Sequence, residues 1–244
     1  MSTEESVVRV KKYLPFEEGR ELLPVDRKEV WRYSGYSGVP GEEDKALSAL
    51  LDEVAAEALP VLAYRICYRS VSLTWQDGMP VLPFSAPSKD LARCLKNSVE
   101  VLFFAATVGL ELDRRIERYQ RVSPAKALLF QALGAERIEA LCDLFCREMG
   151  CGAREKGLEL TPRFSPGYGD LPIEVQRDLF RLLDCQRKIG LTLNSSLLMS
   201  PSKSVTAILG LRPGGLDASR DGHGGNKCGD CPARDCSFRR KDEE

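Results

Sequence analysis

Val99-Glu-Val-Leu-Phe-Phe-Ala-Ala-Thr107 is the stretch whose reading decides the fold. It is rich in β-branched and aromatic residues and almost continuously apolar, so it predicts a central strand covered on both faces. Gly109 follows it as a turn signal. Upstream, Leu62, Tyr64, Ile66, Tyr68 and Val71 come close to alternating, the period of a strand. Before them, Leu47, Leu50, Leu51, Val54 and Ala58 recur at helical spacing, predicting a helix over Asp44–Leu59 that Pro60 ends. A short helix is expected over Ser88–Lys96, after Pro87.

Downstream, Leu110–Tyr119 reads as helical. Ser123-Pro124, a cap followed by proline at the first helical position, opens the longest predicted helix. That helix should run to about Met149, with Gly150 and Gly152 as its stop. Arg163–Asp170 is a turn-rich loop, and Asp170 is positioned to cap a helix over Pro172–Lys188. Leu191–Met199 and Lys203–Leu211 read as two strands joined at Pro201. The stretch to about Glu43 is mixed, with Gly35, Gly38, Pro40 and Gly41 marking a turn-rich connection. Helices interspersed with short, unevenly spaced strands point to an α+β fold: mixed helices packed on a twisted, mainly antiparallel sheet.

The expected organisation is one domain over residues 1–212 and a glycine-rich linker with a cysteine-bearing tail over 213–244. Lys plus Arg (35) nearly balances Asp plus Glu (36), for a formal charge of −1. That gives no electrostatic case for a nucleic-acid or anionic-membrane partner. The first twenty residues carry no apolar stretch, and runs such as Val101–Val108 are far too short to span a bilayer, so a cytoplasmic location is expected.

In a reducing compartment thiols are core residues, ligands or redox groups. Cys67, Cys94, Cys142, Cys146, Cys151 and Cys185 lie among apolar neighbours and read as small core hydrophobes. Cys228, Cys231 and Cys236 are different, because three thiolates within nine positions suit a metal centre. A structural zinc wants a fourth ligand, for which His223, the single histidine, is the candidate; an iron–sulfur cluster uses similar spacings. Redox thiols or a plain solvated tail are the remaining readings.

Arg163-Phe-Ser-Pro-Gly-Tyr168, then a helix, then Ser200-Pro-Ser-Lys-Ser-Val-Thr206, resembles in order and spacing the activation domain of cobalamin-dependent methionine synthase. WRYSGYSG (31–38), FFAATVGLELD (103–113) and ALGAERIEAL (132–141) extend the resemblance to the short, free-standing relatives of that domain, over roughly residues 25–212. Those relatives end in a similar Cys-x2-Cys-x4-Cys-x2-Arg tail. The fused domain's aspartate-proline-phenylalanine segment has no counterpart here, and Leu209 stands near the place of its late-strand aromatic.

The resemblance implies S-adenosylmethionine binding through the loop, and through an acidic residue of the long helix, best matched by Glu139. It implies reductive remethylation of a cobalamin that has left its cycle, with an electron donor such as flavodoxin or ferredoxin. No Asp-x-His-x-x-Gly cobalamin loop is present, so the corrinoid is expected on a partner, and the chain alone is not expected to make methionine.

The residue types suit such a ligand. Arg163 offers a permanently charged, bidentate donor to a carboxylate. Gly167 permits close backbone approach, and Pro166 holds the turn. Ser165 offers backbone and hydroxyl hydrogen bonds. Tyr168 has a π-face and a polar tip for an adenosyl group or a sulfonium. Glu139 falls in a stripe with Leu128, Ala132, Ala135, Cys142 and Cys146, where a carboxylate needs a partner: a ligand ammonium, or an arginine such as Arg137 or Arg163. Glu136 is expected on a more exposed face and is the weaker candidate. Thr107 and Gly109 end the apolar strand, where ligand sites commonly form.

Two rival classes are an electron-transfer protein built around the tail cluster and a nucleic-acid binder with a small zinc module. The balanced charge opposes the second.

Overall fold

The computed structural model describes residues 7–14, 16–17, 20–21, 23–36 and 44–215. The described elements begin with β1 (Arg9–Tyr13), β2 (Phe16–Glu17), β3 (Arg20–Glu21), α1 (Arg27–Tyr33), α2 (Lys45–Ala58) and β4 (Tyr64–Ser72). Then come β5 (Thr74–Gln76), β6 (Met79–Val81), α3 (Lys89–Cys94), β7 (Glu100–Thr107), α4 (Glu111–Val122) and α5 (Pro124–Arg154). β8 (Leu158–Leu160), α6 (Val175–Leu183), α7 (Cys185–Ile189), β9 (Thr192–Leu193), β10 (Met199–Ser200) and β11 (Ser204–Pro213) complete them.

The main sheet is antiparallel throughout, in the order β1-β4-β7-β11-β8, with β7 in the middle as its composition predicts. Successive β7 side chains point to opposite faces. Leu102, Phe104 and Ala106 join a core with α5, while Val101, Phe103 and Ala105 join a second core with α6 and α7. Both faces are dry, which is why no polar residue interrupts the run after Glu100. The fold is α+β, as expected.

On the first face, Phe145 of α5 meets Phe104 and Tyr68 with ring centroids 5.0 and 5.2 Å apart. Burying one such phenyl ring contributes about 1.5–3 kcal/mol. Ser123 makes no side-chain cap bond to α5, so packing rather than capping holds this helix. For the same reason α5 runs through Gly150 and Gly152, which were expected to stop it, and ends at Arg154. The helical cost of each glycine is only about 1 kcal/mol, and Gly150 is buried beside Leu160.

Other expectations need correcting. The helix predicted over 172–188 is two helices, α6 and α7, separated at Asp184, whose φ of 49° is left-handed. Leu191–Met199 is not one strand, since β9 and β10 pair only with each other. Of the six cysteines read as core residues, Cys67, Cys142 and Cys185 are buried, Cys94 and Cys146 half-buried, and Cys151 is exposed. β1 and α1 form within the N-terminal stretch read as mixed, and of the expected connection Gly38, Pro40 and Gly41 lie outside the described residues.

One edge of the sheet positions the candidate site. Leu160 pairs with Leu211, but Phe164 pairs with Ile208, so four steps on this edge face three on β11. The extra residue is a bulge, a device that re-aims a side chain. At the bulge Thr161 N–H donates to Gly210 O (2.9 Å), and Thr161 Oγ1 accepts from Gly210 N–H (2.8 Å). A Cβ on Gly210 would lie 2.0 Å from Ser98 Oγ, so glycine is required there.

Candidate functional site

The bulge delivers Arg163 to α5. Glu139 and Asp143 stand one helical turn apart on that helix, hence on one face. Arg163 Nη2 donates to Glu139 Oε2 and to Asp143 Oδ1, both at 2.8 Å. The guanidinium side chain is 13% exposed against 36% for Glu139 and 62% for Asp143, so a deep cation sits beneath two carboxylates that reach water. Burial opposes the Arg163 charge, but the Glu139 and Asp143 carboxylates more than offset it, and its pKa lies above the ordinary arginine value. Burial also pushes the Cys142 thiol up, so it stays protonated at neutral pH. Tyr33 of α1 completes the cluster: burial first, then the Glu139 charge, raises its phenol. Arg32 stacks over the Tyr33 ring at 4.1 Å.

Of the residues named from sequence, Arg163 and Glu139 are therefore brought into contact. Of the two arginines left open as partners for Glu139, Arg163 is one that it meets. Asp143 was missed, although its i+4 relation to Glu139 was readable. Ser165, Gly167 and Tyr168 continue the loop: Tyr168 N–H donates to Ser165 O (3.2 Å) and Gly167 N–H to Leu171 O (2.9 Å). Gly167 has φ +89°, a conformation that favours glycine. Pro166 is buried, and Tyr168 is 70% exposed beside the clamp's loop.

Thr107 pairs with Ser204, four residues along β11 from the Phe164 bridge and thus about 13 Å away. Its buried hydroxyl accepts from Gly109 N–H (3.2 Å).

Glu136 is not on an exposed face. It is 3% exposed and ion-paired with Arg137, itself fully buried. Arg137 also donates to the carbonyls of Leu23 and Pro24 (2.7 Å to the latter), while Glu136 Oε1 accepts from Asp26 N–H (3.3 Å). Burial pushes the Glu136 carboxyl up, and the Arg137 guanidinium pulls against it. The pair fastens the segment entering α1 to α5.

Asp170 has a role other than the predicted one. Its carboxylate accepts from Lys89 N–H (2.8 Å) and Asp90 N–H (3.2 Å) and from the Ser88 hydroxyl, so it caps α3 and ties the loop to that helix. The Ser88 bond, aided by the two backbone N–H groups, holds the Asp170 pKa below its ordinary 3.8. A depressed carboxylate pKa contributes stability above the unfolded value and loses it as pH falls through the folded one. Asp170→Ala should therefore lower the melting temperature near neutral pH, and the gap to wild type should narrow below about pH 4. Equal melting temperatures at pH 7 would contradict this.

Chemically the cluster is a binder. Two carboxylates against one guanidinium leave a net charge of −1 around a donor fork, which suits a ligand bearing a carboxylate and more than one positive charge. No group of His, Cys, Asp or Glu able to hold a metal occurs among the described residues, and Cys228, Cys231 and Cys236 lie outside them. No described helix is long and apolar enough to cross a membrane.

No protein-family model and no curated protein matches the chain. Among solved structures, the chain is similar to a crystal structure of the MetH reactivation domain bound to AdoHcy. The likeness has a TM-score of 0.65 at 13% identity and covers 88% of this chain and 82% of that one. The chain therefore has the fold of that reactivation domain.

Proposed function

We propose that this chain binds S-adenosylmethionine at the Arg163 clamp and serves as a reactivation protein for a partner that carries cobalamin. The observation that carries the reading is the clamp itself, Arg163 held between Glu139 and Asp143 beside the Pro166–Tyr168 turn. Both observed bonds use Nη2, so the ligand carboxylate would meet Nη1 or take the place of one of these two carboxylates on the guanidinium. Glu139 and Asp143 are matched to its ammonium and sulfonium charges, and Tyr168 to its adenosyl ring. The neighbour's AdoHcy, a ligand of the same chemical family, gives independent support. Calorimetry with S-adenosylmethionine tests the reading, and loss of binding in Arg163→Ala is the expected result.

The corrinoid supplies the metal that accepts the methyl group when the partner brings it. This chain binds the methyl donor and orients it. On the same reading, electrons come from a donor of flavodoxin or ferredoxin type, and Cys228, Cys231 and Cys236 hold a zinc or iron–sulfur centre. Metal analysis of anaerobically purified protein should find about one centre per chain, lost in Cys231→Ser. Absence of metal, with all three thiols freely titratable, would reduce the tail to a solvated extension.

A further inference from the structure

A cleft of about 640 Å³ opens between the β5–β6 hairpin and α3, and none of its lining residues belongs to the Arg163 clamp. Its volume is that of a small-molecule site. The hairpin turns tightly at Asp77 and Gly78, with φ of 51° and 78°. It presents the Trp75 indole, 37% exposed, and Trp75 Nε1–H donates to Ser98 O at 3.1 Å, which fixes the ring. Met79 extends the apolar floor.

The opposite wall is cationic. Lys89, Arg93 and Lys96 follow one another at i, i+4 and i+7 and all line the cleft. Arg93 is paired with Asp90 at 2.7 Å, whereas Lys89 and Lys96 have no ion-pair partner among the described residues. Three cations against two carboxylates, Asp90 and the Asp170 that caps this helix, leave +1 on this wall.

A fixed indole in a cleft also lined by two lysines without ion-pair partners among the described residues is complementary to a flat ring that carries phosphate. We propose that the cleft binds a phosphorylated nucleoside, its base stacked on Trp75 and its phosphates on Lys89 and Lys96. Base–indole stacking is sequence-tolerant, and lysines bind phosphate as point charges. The geometry also couples this cleft to the clamp's loop. α3 is capped by Asp170 at one end, and Cys94 Sγ approaches Pro162 O at 3.5 Å at the other.

The test uses the full chain and three probes: ADP, pyrophosphate and adenosine. Trp31 is buried and Trp75 is not, so ADP should quench tryptophan emission saturably, and Trp75→Phe should abolish the quench. ADP should bind more tightly than pyrophosphate or adenosine alone. The double replacement Lys89→Ala, Lys96→Ala should weaken ADP about tenfold or more and flatten its salt dependence. Excess S-adenosylmethionine should not displace ADP, which separates this site from the clamp whether or not the clamp binds its proposed ligand. An absent ADP signal, pyrophosphate binding as tight as ADP, indifference to the lysine replacements, or displacement by S-adenosylmethionine would each overturn the proposal.

Discussion

Arg163→Ala should weaken S-adenosylmethionine binding by about 2–4 kcal/mol, thirty-fold to several-hundred-fold, the scale for removing one partner of a desolvated charge pair. The size follows from position: the guanidinium is 13% exposed and carries both carboxylate bonds of the clamp. Without it Glu139 and Asp143, one turn apart, are two like charges with no cation between them. Arg163→Lys should recover part of the affinity, because an ammonium keeps the charge but not the planar fork. Thermal melting of the same variants separates a binding defect from a folding one. Affinity unchanged in Arg163→Ala would remove the clamp from the ligand site.

The second large effect concerns stability. Arg137→Ala should cost about 3–5 kcal/mol, the range for breaking a buried ion pair. Arg137 and Glu136 side chains are 1% and 4% exposed, so truncation leaves a carboxylate stranded and strips donors from the Leu23 and Pro24 carbonyls. Replacing both residues, Glu136→Leu with Arg137→Met, should cost less than the single change, since no lone charge remains buried. Denaturant unfolding measures both. A single variant within 1 kcal/mol of wild type, by the same ~1 kcal/mol standard that separates buried from surface pairs, would contradict this account.

The two mispredictions around α5 share a cause. A helical wheel assigns one face to solvent, but α5 is covered by the sheet, α1, α2 and α4, so Glu136 is buried where an amphipathic helix would expose it. Packing of one face, through the buried Gly150 and Ala153, likewise carried α5 past Gly150 and Gly152. β7 was legible because burial on both faces leaves a direct mark on composition. The bulge at Thr161 was not, because it depends on which strand the edge pairs with, and that is a tertiary fact. Two local signals were present and unread. Asp26 and Glu29 mark the start of α1, where Asp26 Oδ1 accepts from Glu29 N–H at 3.2 Å. Asp77-Gly78 marks the β5–β6 hairpin. Within the site, Arg163 was named from its loop's resemblance and the donors it offers a carboxylate, and Glu139 because charge in an apolar stripe demands a partner. Asp143, more exposed, made no such demand.

Isothermal titration of the full chain with S-adenosylmethionine tests the central claim most directly. The account predicts saturable heat with one ligand per chain, lost in Arg163→Ala. No heat from the wild-type chain at about 1 mM ligand, a concentration at which a site worth even ~4 kcal/mol would be half filled, would contradict it.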